Sequence, residues 1–369
     1  MGIEALTDYL GEGRTLALIG LVVGAGFGFM AQRSRFCLRS AVVEFARNHP
    51  GGKLTVWLFA FATATLLTQL LAWTGALDPH DSRLIAVRGS LSGAIVGGLL
   101  FGAGMILARG CSSRLLVLAA QGNLRSLISG LVFAVSAQAA MTGILAPLRE
   151  GISAWWTIDG GTARDILARS GLGPAAGLAW GALWLVAAVV WARRQSVQVW
   201  GWAGAVGVGL TIAAAWWATA AIVHVSFDPH PVQSLSFTGP SAEVLTRVLF
   251  AGDKPPTFDL GLVPGVFIGA FAAAAIYGEL ELVGFQGGAS MRRYIAGALC
   301  MGFGGMLAGG CAVGAGLSGT SIFALTSYLA LCGMWAGGAL TDRLLDQHPV
   351  GPLPQPMARD EAPSAAFTR

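Results

Sequence analysis

The sequence predicts an all-α integral membrane protein: about nine transmembrane helices with short re-entrant helices between them, arranged as inverted-topology repeats. Three observations carry this. The chain is 54% hydrophobic and only 11% charged, with a mean hydropathy of +0.66, whereas a soluble domain is roughly 25% charged. Apolar stretches of about 17–25 residues, the length that crosses a bilayer, recur along it. Finally, the segment Gly102-Ala103-Gly104-Met105-Ile106-Leu107-Ala108-Arg109-Gly110-Cys111 returns later as Gly302-Phe303-Gly304-Gly305-Met306-Leu307-Ala308-Gly309-Gly310-Cys311.

Taken in order, the spans are expected near 15–31, 54–77, 89–108, 124–146, 173–192, 199–223, 260–278, 293–308 and 321–341. Turn chemistry separates them, as in Asp78-Pro79-His80-Asp81 and Asp228-Pro229-His230-Pro231. The start carries Glu4, Asp8 and Glu12 and lacks a basic leader, so no cleaved signal peptide is expected. The Pro- and Ala-rich tail, 346–369, is expected to be disordered. Fifty-three glycines suit helices that approach closely in lipid.

About 15 of the 23 Lys and Arg residues fall on the side of the loops after spans 1, 3, 5 and 7 and the C-terminus, and about 8 on the other. By the positive-inside rule the N-terminus is periplasmic and the C-terminus cytoplasmic. The same bias accounts for the net charge of +4, so no nucleic-acid partner is implied; the partner is the lipid bilayer.

The Gly-Cys motif ends span 3 and again span 8. An odd offset of five spans makes the two copies antiparallel, with halves at about 1–195 and 196–345. The pattern Gly24-Ala25-Gly26-Phe27-Gly28-Phe29 against Ala205-Val206-Gly207-Val208-Gly209-Leu210 gives the same register. Inverted repeats of this kind place their sites near the midplane, on interrupted helices. After Cys111 and Cys311 the chain is too short and too apolar for an exposed loop. Each stretch therefore reads as a re-entrant segment lining a cavity. Gly110 and Gly310 are expected to free the backbone for close approach to a ligand. A short helix starting at each cysteine aims its positive end at the same point.

The result is a constriction suited to an anion. Arg109 and Arg114 bracket Cys111, and Arg33, Arg35 and Arg39 surround Cys37. These arginines also serve as topology markers, but topology alone does not require their interleaving with Cys and Ser. Of five cysteines, Cys37, Cys111 and Cys311 are candidates for a substrate pathway, while Cys300 and Cys332 read as packing residues. The place matching Cys37 in the second half is expected near Trp216-Trp217-Ala218, which has no thiol. A thiol is a weak donor with a soft sulfur, suited to a guest that presents sulfur. It serves either by hydrogen bonding or by transient sulfur exchange. There is no CxxC, no metal-ligand spacing among the histidines and no P-loop. No catalytic residue, metal or cofactor is expected.

The pattern from Leu100-Phe101-Gly102 to Cys111-Ser112-Ser113-Arg114, followed by Gly122-Asn123-Leu124-Arg125-Ser126 and later Ala308-Gly309-Gly310-Cys311, resembles the YeeE/YedE family of sulfur-compound transporters. The resemblance implies an hourglass-shaped bundle that takes up thiosulfate along three cysteines, here Cys37, Cys111 and Cys311. It also implies a cytoplasmic sulfur carrier or sulfurtransferase that consumes the cargo. Other relatives are associated with selenium, so a selenium-compound transporter is an alternative cargo reading. The rival from another class is a membrane thiol enzyme passing sulfur or electrons to a carrier.

Overall fold

The computed structural model describes residues 7, 9–49, 51–195, 198–223, 225–226, 230–250, 255–285 and 288–345. The expected disordered tail lies outside them. Among the described residues nine helices have 17 or more residues, and each overlaps an expected span: α1 (Glu12–Ser34), α3 (Gly52–Trp73), α4 (Leu91–Leu107), α6 (Leu124–Met141), α8 (Pro174–Ala192), α9 (Val199–Val223), α11 (Phe258–Ile276), α12 (Gly288–Leu307) and α13 (Leu325–Leu345). Between them lie short helices α2 (Leu38–Ala46), α5 (Ser112–Ala120), α7 (Ala146–Ala154) and α10 (Thr238–Leu249), and a π-helical turn, Gly314–Gly319. Among the described residues, sheet is limited to the antiparallel pairing of Gly89–Ser90 with Thr157–Ile158.

Among the described residues, seven helical stretches are long and apolar enough to cross a membrane. The other two long helices, α12 and α13, are of spanning length at 20 and 21 residues. Arg292 and Arg293 near the start of α12, and glycines with Asp342 and Arg343 in α13, lower their hydropathy.

Local chemistry sets the helix starts. Ser90 Oγ accepts from Gly93 N at 2.8 Å and Asn123 Oδ1 from Ser126 N at 3.0 Å, each satisfying an N–H that the first turn leaves open. At α3 the Glu44 carboxylate accepts from the backbone N–H groups of Gly51, Lys53 and Leu54, where an anion is also favoured by the helix dipole.

The elements after α8 repeat the order of those before it, long-short-long-long-short-long. Their packing partners match in the same order. α1 packs on α11 as α9 does on α3; α4 on α13 as α12 does on α6; α2 on α3 as α10 does on α11. Two crossings join like with like, α1 on α9 and α4 on α12. The second is made at glycine. A Cβ on Gly104 would lie 2.6 Å from Gly297 O, and one on Gly297 would lie 2.7 Å from Gly104 O. Gly97 and Gly304 meet in the same reciprocal way.

The polar contacts sort the helix ends onto two faces. On the first, Glu12 Oε2 meets His230 Nε2 at 3.0 Å and Ser82 bridges Val232. Here Arg164 is buried, donating to Val87 O at 2.5 Å and to Thr326 Oγ1 at 2.7 Å. Burial lowers its pKa to about 10, so it remains a cation at neutral pH and ties its own connector to that of Val87 and to the start of α13. On the second face, Arg47 forks onto Asp342 through two contacts of 2.9 Å, and Asn123 bridges Val283.

Gly104→Ala is expected to push α4 off α12 and cost about 1–3 kcal/mol by overpacking, read as a lower thermal-unfolding midpoint in detergent. Gly130→Ala on α6, where a Cβ meets nothing within 4 Å, is expected to be neutral or to gain up to about 1 kcal/mol of helix propensity.

Candidate functional site

Of the long helices that end in a left-handed reversal, three present a cysteine just beyond it. Arg35, Arg109 and Gly309 adopt the left-handed conformation, with φ of 52°, 55° and 78°. The next residue's N–H then bonds five residues back: Phe36 to Ala31 O, Gly110 to Met105 O and Gly310 to Gly305 O, at 2.9–3.1 Å. These are helix C-terminal motifs in which a left-handed residue reverses the chain. The third residue is the cysteine. Cys37 and Cys111 then occupy the N-cap positions of α2 and α5, while Cys311 O accepts from Ala315 N at 2.8 Å as the π-helical turn begins.

The reversal therefore sits two residues before each cysteine, not at Gly110 and Gly310 as expected from the motif. Gly310 is required for a different reason, because its Cβ would lie 2.7 Å from Ala315 N. At Gly110 the nearest atom is Leu115 Cδ2 at 3.4 Å, ordinary contact.

All three candidate thiols are buried, Cys37 at 7% and Cys111 and Cys311 at 0% exposure. The structure brings two of them together. Cys37 Sγ lies 4.0 Å from Cys111 Sγ, and Cys111 Sγ lies 3.4 Å from Ser113 Oγ. Cys311 Sγ has different partners, accepting from the backbone N–H of Phe237 at 3.3 Å and of Gly314 at 3.4 Å. Cys300 is half-buried and Cys332 exposed on α13.

Phe237 is the partner that sequence reasoning missed. It precedes α10 as Cys37 precedes α2, and both contacts, Cys37 with Cys111 and Phe237 with Cys311, span 74 residues. The second copy is thus numbered 200 higher, and the position matching Cys37 is Phe237, not the Trp216-Trp217-Ala218 stretch. Applying the offset of the two Gly-Cys motifs to Cys37 finds it directly. Trp216 is buried and donates through Nε1 to Ser321 Oγ at 3.3 Å, whereas Trp217 is exposed.

The charged candidates divide. Arg109 is exposed. Arg114, on the first turn of α5, donates to Gln32 Oε1 at 3.4 Å. Gln32 donates in turn to Glu279 Oε2 at 2.6 Å, and Glu279 pairs with Arg33 at 3.2 Å. Arg33 also lies 3.5 Å over the Tyr277 ring, a cation–π geometry. Gln32 and Glu279, which the sequence analysis did not single out, thus join the arginines in one network. In the second half the numbers matching Arg109 and Arg114 hold Gly309 and Gly314, so these two arginines are not repeated at the matching positions.

Near Cys311 the structure has a cavity of about 190 Å³ instead. Its lining includes Ser82 and Val232 from the first face, Arg83 and Arg149, and Gly309, Gly310 and Gly314.

Gly310→Ala is expected to lower the thermal-unfolding midpoint by the equivalent of about 1–3 kcal/mol, and Gly110→Ala by less than about 1 kcal/mol. Arg109→Gly relieves a left-handed side-chain clash of about 1–2 kcal/mol and is expected to raise the midpoint.

Comparison with known proteins follows the same residues. The family described as sulphur transport (Sulf_transp) matches 33–340. A protein of Spirochaeta thermophila named thiosulfate transporter TsuA is 27% identical over 323 residues, covering 84% of this chain and 93% of its own. An Escherichia coli protein of the same name is 26% identical over 342 residues, covering 88% and 93%. With the match spanning both Gly-Cys motifs and Cys37, this chain belongs to the sulphur-transport family.

Proposed function

We propose that this protein is a multi-pass permease of the bacterial inner membrane that admits thiosulfate or a related sulfur anion. The observation that carries the reading is the repeated thiol ending: a buried cysteine at a helix reversal in each half, one beside a cavity open on the first face and one paired with a second thiol. The relatives named as thiosulfate transporters support that cargo.

In this reading the halves, at about 1–195 and 196–345, form inverted repeats around a narrow waist. The first face, which holds fewer basic residues, is periplasmic, as is the N-terminus; the second face and the C-terminus are cytoplasmic. An anion enters the cavity toward Cys311 and passes to Cys111 and Cys37, whose sulfurs make weak, reversible contacts with its terminal sulfur. Gly310 permits the tight turn at the outer thiol and Gly110 the looser one at the inner thiol. Arg114 draws the anion inward, and Arg109 acts only at the cytoplasmic mouth, since it is exposed.

Entry works against the membrane potential by about 2.3 kcal/mol per charge per 100 mV. A cytoplasmic sulfur carrier or sulfurtransferase that consumes the anion supplies the missing drive. The Cys37–Cys111 proximity also suits the rival reading, a thiol enzyme. Sealed vesicles of purified protein separate the two, because a permease lets labelled thiosulfate into the lumen with no acceptor present, whereas an enzyme leaves it outside.

In that assay Cys111→Ala and Cys311→Ala are each expected to abolish uptake, while Cys332→Ala, at a lipid-facing position, leaves it nearly intact. Equal losses in all three variants count against the pathway.

A further inference from the structure

The first half brings two thiols to a place where the second half brings one. Moving 200 residues along the chain, Cys111 returns as Cys311, but Cys37 becomes Phe237. Cys311 therefore meets a backbone N–H there, whereas Cys111 meets a second sulfur, Cys37 Sγ, at 4.0 Å. One thiol serves the second half. The pair in the first half can do what a single thiol cannot, because two adjacent thiols are the reduced form of a disulfide.

Each partner is held by its own helix reversal. Phe36 N bonds to Ala31 O and Gly110 N to Met105 O, both at 3.1 Å, which sets the two cysteines at the starts of α2 and α5, helices of nine residues each. All five cysteines are free, so the pair is a dithiol in this structure. A disulfide has its sulfurs about 2.05 Å apart, within reach of rotated side chains and a small shift of two short helices. The thiolate is the form that attacks an oxidant, and Arg114 stands within electrostatic reach of both sulfurs. Cys37 keeps 7% exposure and Cys111 none. A small oxidant therefore meets Cys37 first, with Cys111 beside it to resolve the product.

We propose that Cys37 and Cys111 form a reversible disulfide that shuts the pathway under peroxide. The chemistry stands on the pair itself; its consequence for uptake rests on the permease reading. The Cys37 thiolate attacks one oxygen of hydrogen peroxide: an S–O bond forms, the O–O bond breaks, and the departing hydroxide takes up the thiol's proton and leaves as water. Cys111 then attacks the sulfenic sulfur of Cys37: the S–S bond forms, the S–O bond breaks, and a second water carries off the Cys111 proton. Two thiols have given two electrons to one peroxide. A dithiol reductant restores the pair by exchange. While the bond lasts, neither sulfur has a proton to donate to a guest, and the reversal after α1 is tied to the reversal after α4.

The test uses the purified full chain, reduced and then treated with hydrogen peroxide. Three readings are taken before and after dithiothreitol: entry of labelled thiosulfate into sealed vesicles, a Cys37–Cys111 peptide link by mass spectrometry, and the thermal-unfolding midpoint in detergent. Entry is expected to fall in step with the linked fraction and to return with dithiothreitol. The link joins residues 74 apart, so peroxide should also raise the midpoint; Cys37→Ser, used for this reading alone, should show no rise. The double variant Cys300→Ala/Cys332→Ala should respond as wild type does. A pair that stays reduced under peroxide overturns the inference, as does a link that leaves entry unchanged or a response that vanishes in the double variant. No entry by the reduced wild type counts against the permease reading instead, and the link and the midpoint then still decide whether the pair oxidises.

Discussion

Lipid gives helices no hydrophobic reason to associate, so their packing must come from close van der Waals contact and from polar pairs. In this chain the contact is made between backbones at glycine. At the α4–α12 crossing, Gly104 with Gly297 and Gly97 with Gly304 leave no room for a Cβ. Everything at the site hangs from that crossing, because α4 and α12 are the helices whose C-terminal reversals present Cys111 and Cys311. Spreading them would displace both thiols at once.

The frame is repeated, but its filling is not. Three helices end in a left-handed residue followed, two places on, by a cysteine. Around Cys37 and Cys111 the filling is bulky and cationic, with Phe36, Leu38 and Met105 buried and Arg114 reaching Gln32. Around Cys311 it is small and polar, and a cavity opens. One backbone plan thus yields a closed surround with Arg114 beside Cys37 and Cys111 and an open one beside Cys311. The Arg33–Glu279–Gln32–Arg114 chain shows how the surround of the paired thiols carries several cations at once: a single carboxylate joins two of them through an amide.

Much of this was legible in the chain itself. Hydropathy located all nine long helices because a spanning segment must satisfy its backbone internally and cover its length with apolar side chains. The recurring Gly-Cys motif disclosed the repeat and selected Cys111 and Cys311, since identical local sequence at helix ends folds to identical local geometry. What misled was inference about backbone conformation from residue type: glycine next to cysteine suggested the hinge, but the left-handed turn falls on Arg109 in one copy and Gly309 in the other.

The order of apolar spans, the repeat and the identity of the buried thiols were therefore determined by sequence alone, because each depends on residues close together in the chain. Only the tertiary structure decided which groups meet: the 4.0 Å approach of Cys37 to Cys111 and the Phe237 N–H on Cys311. Those contacts join segments 74 residues apart, and their distances follow from how closely glycine lets the intervening helices pack.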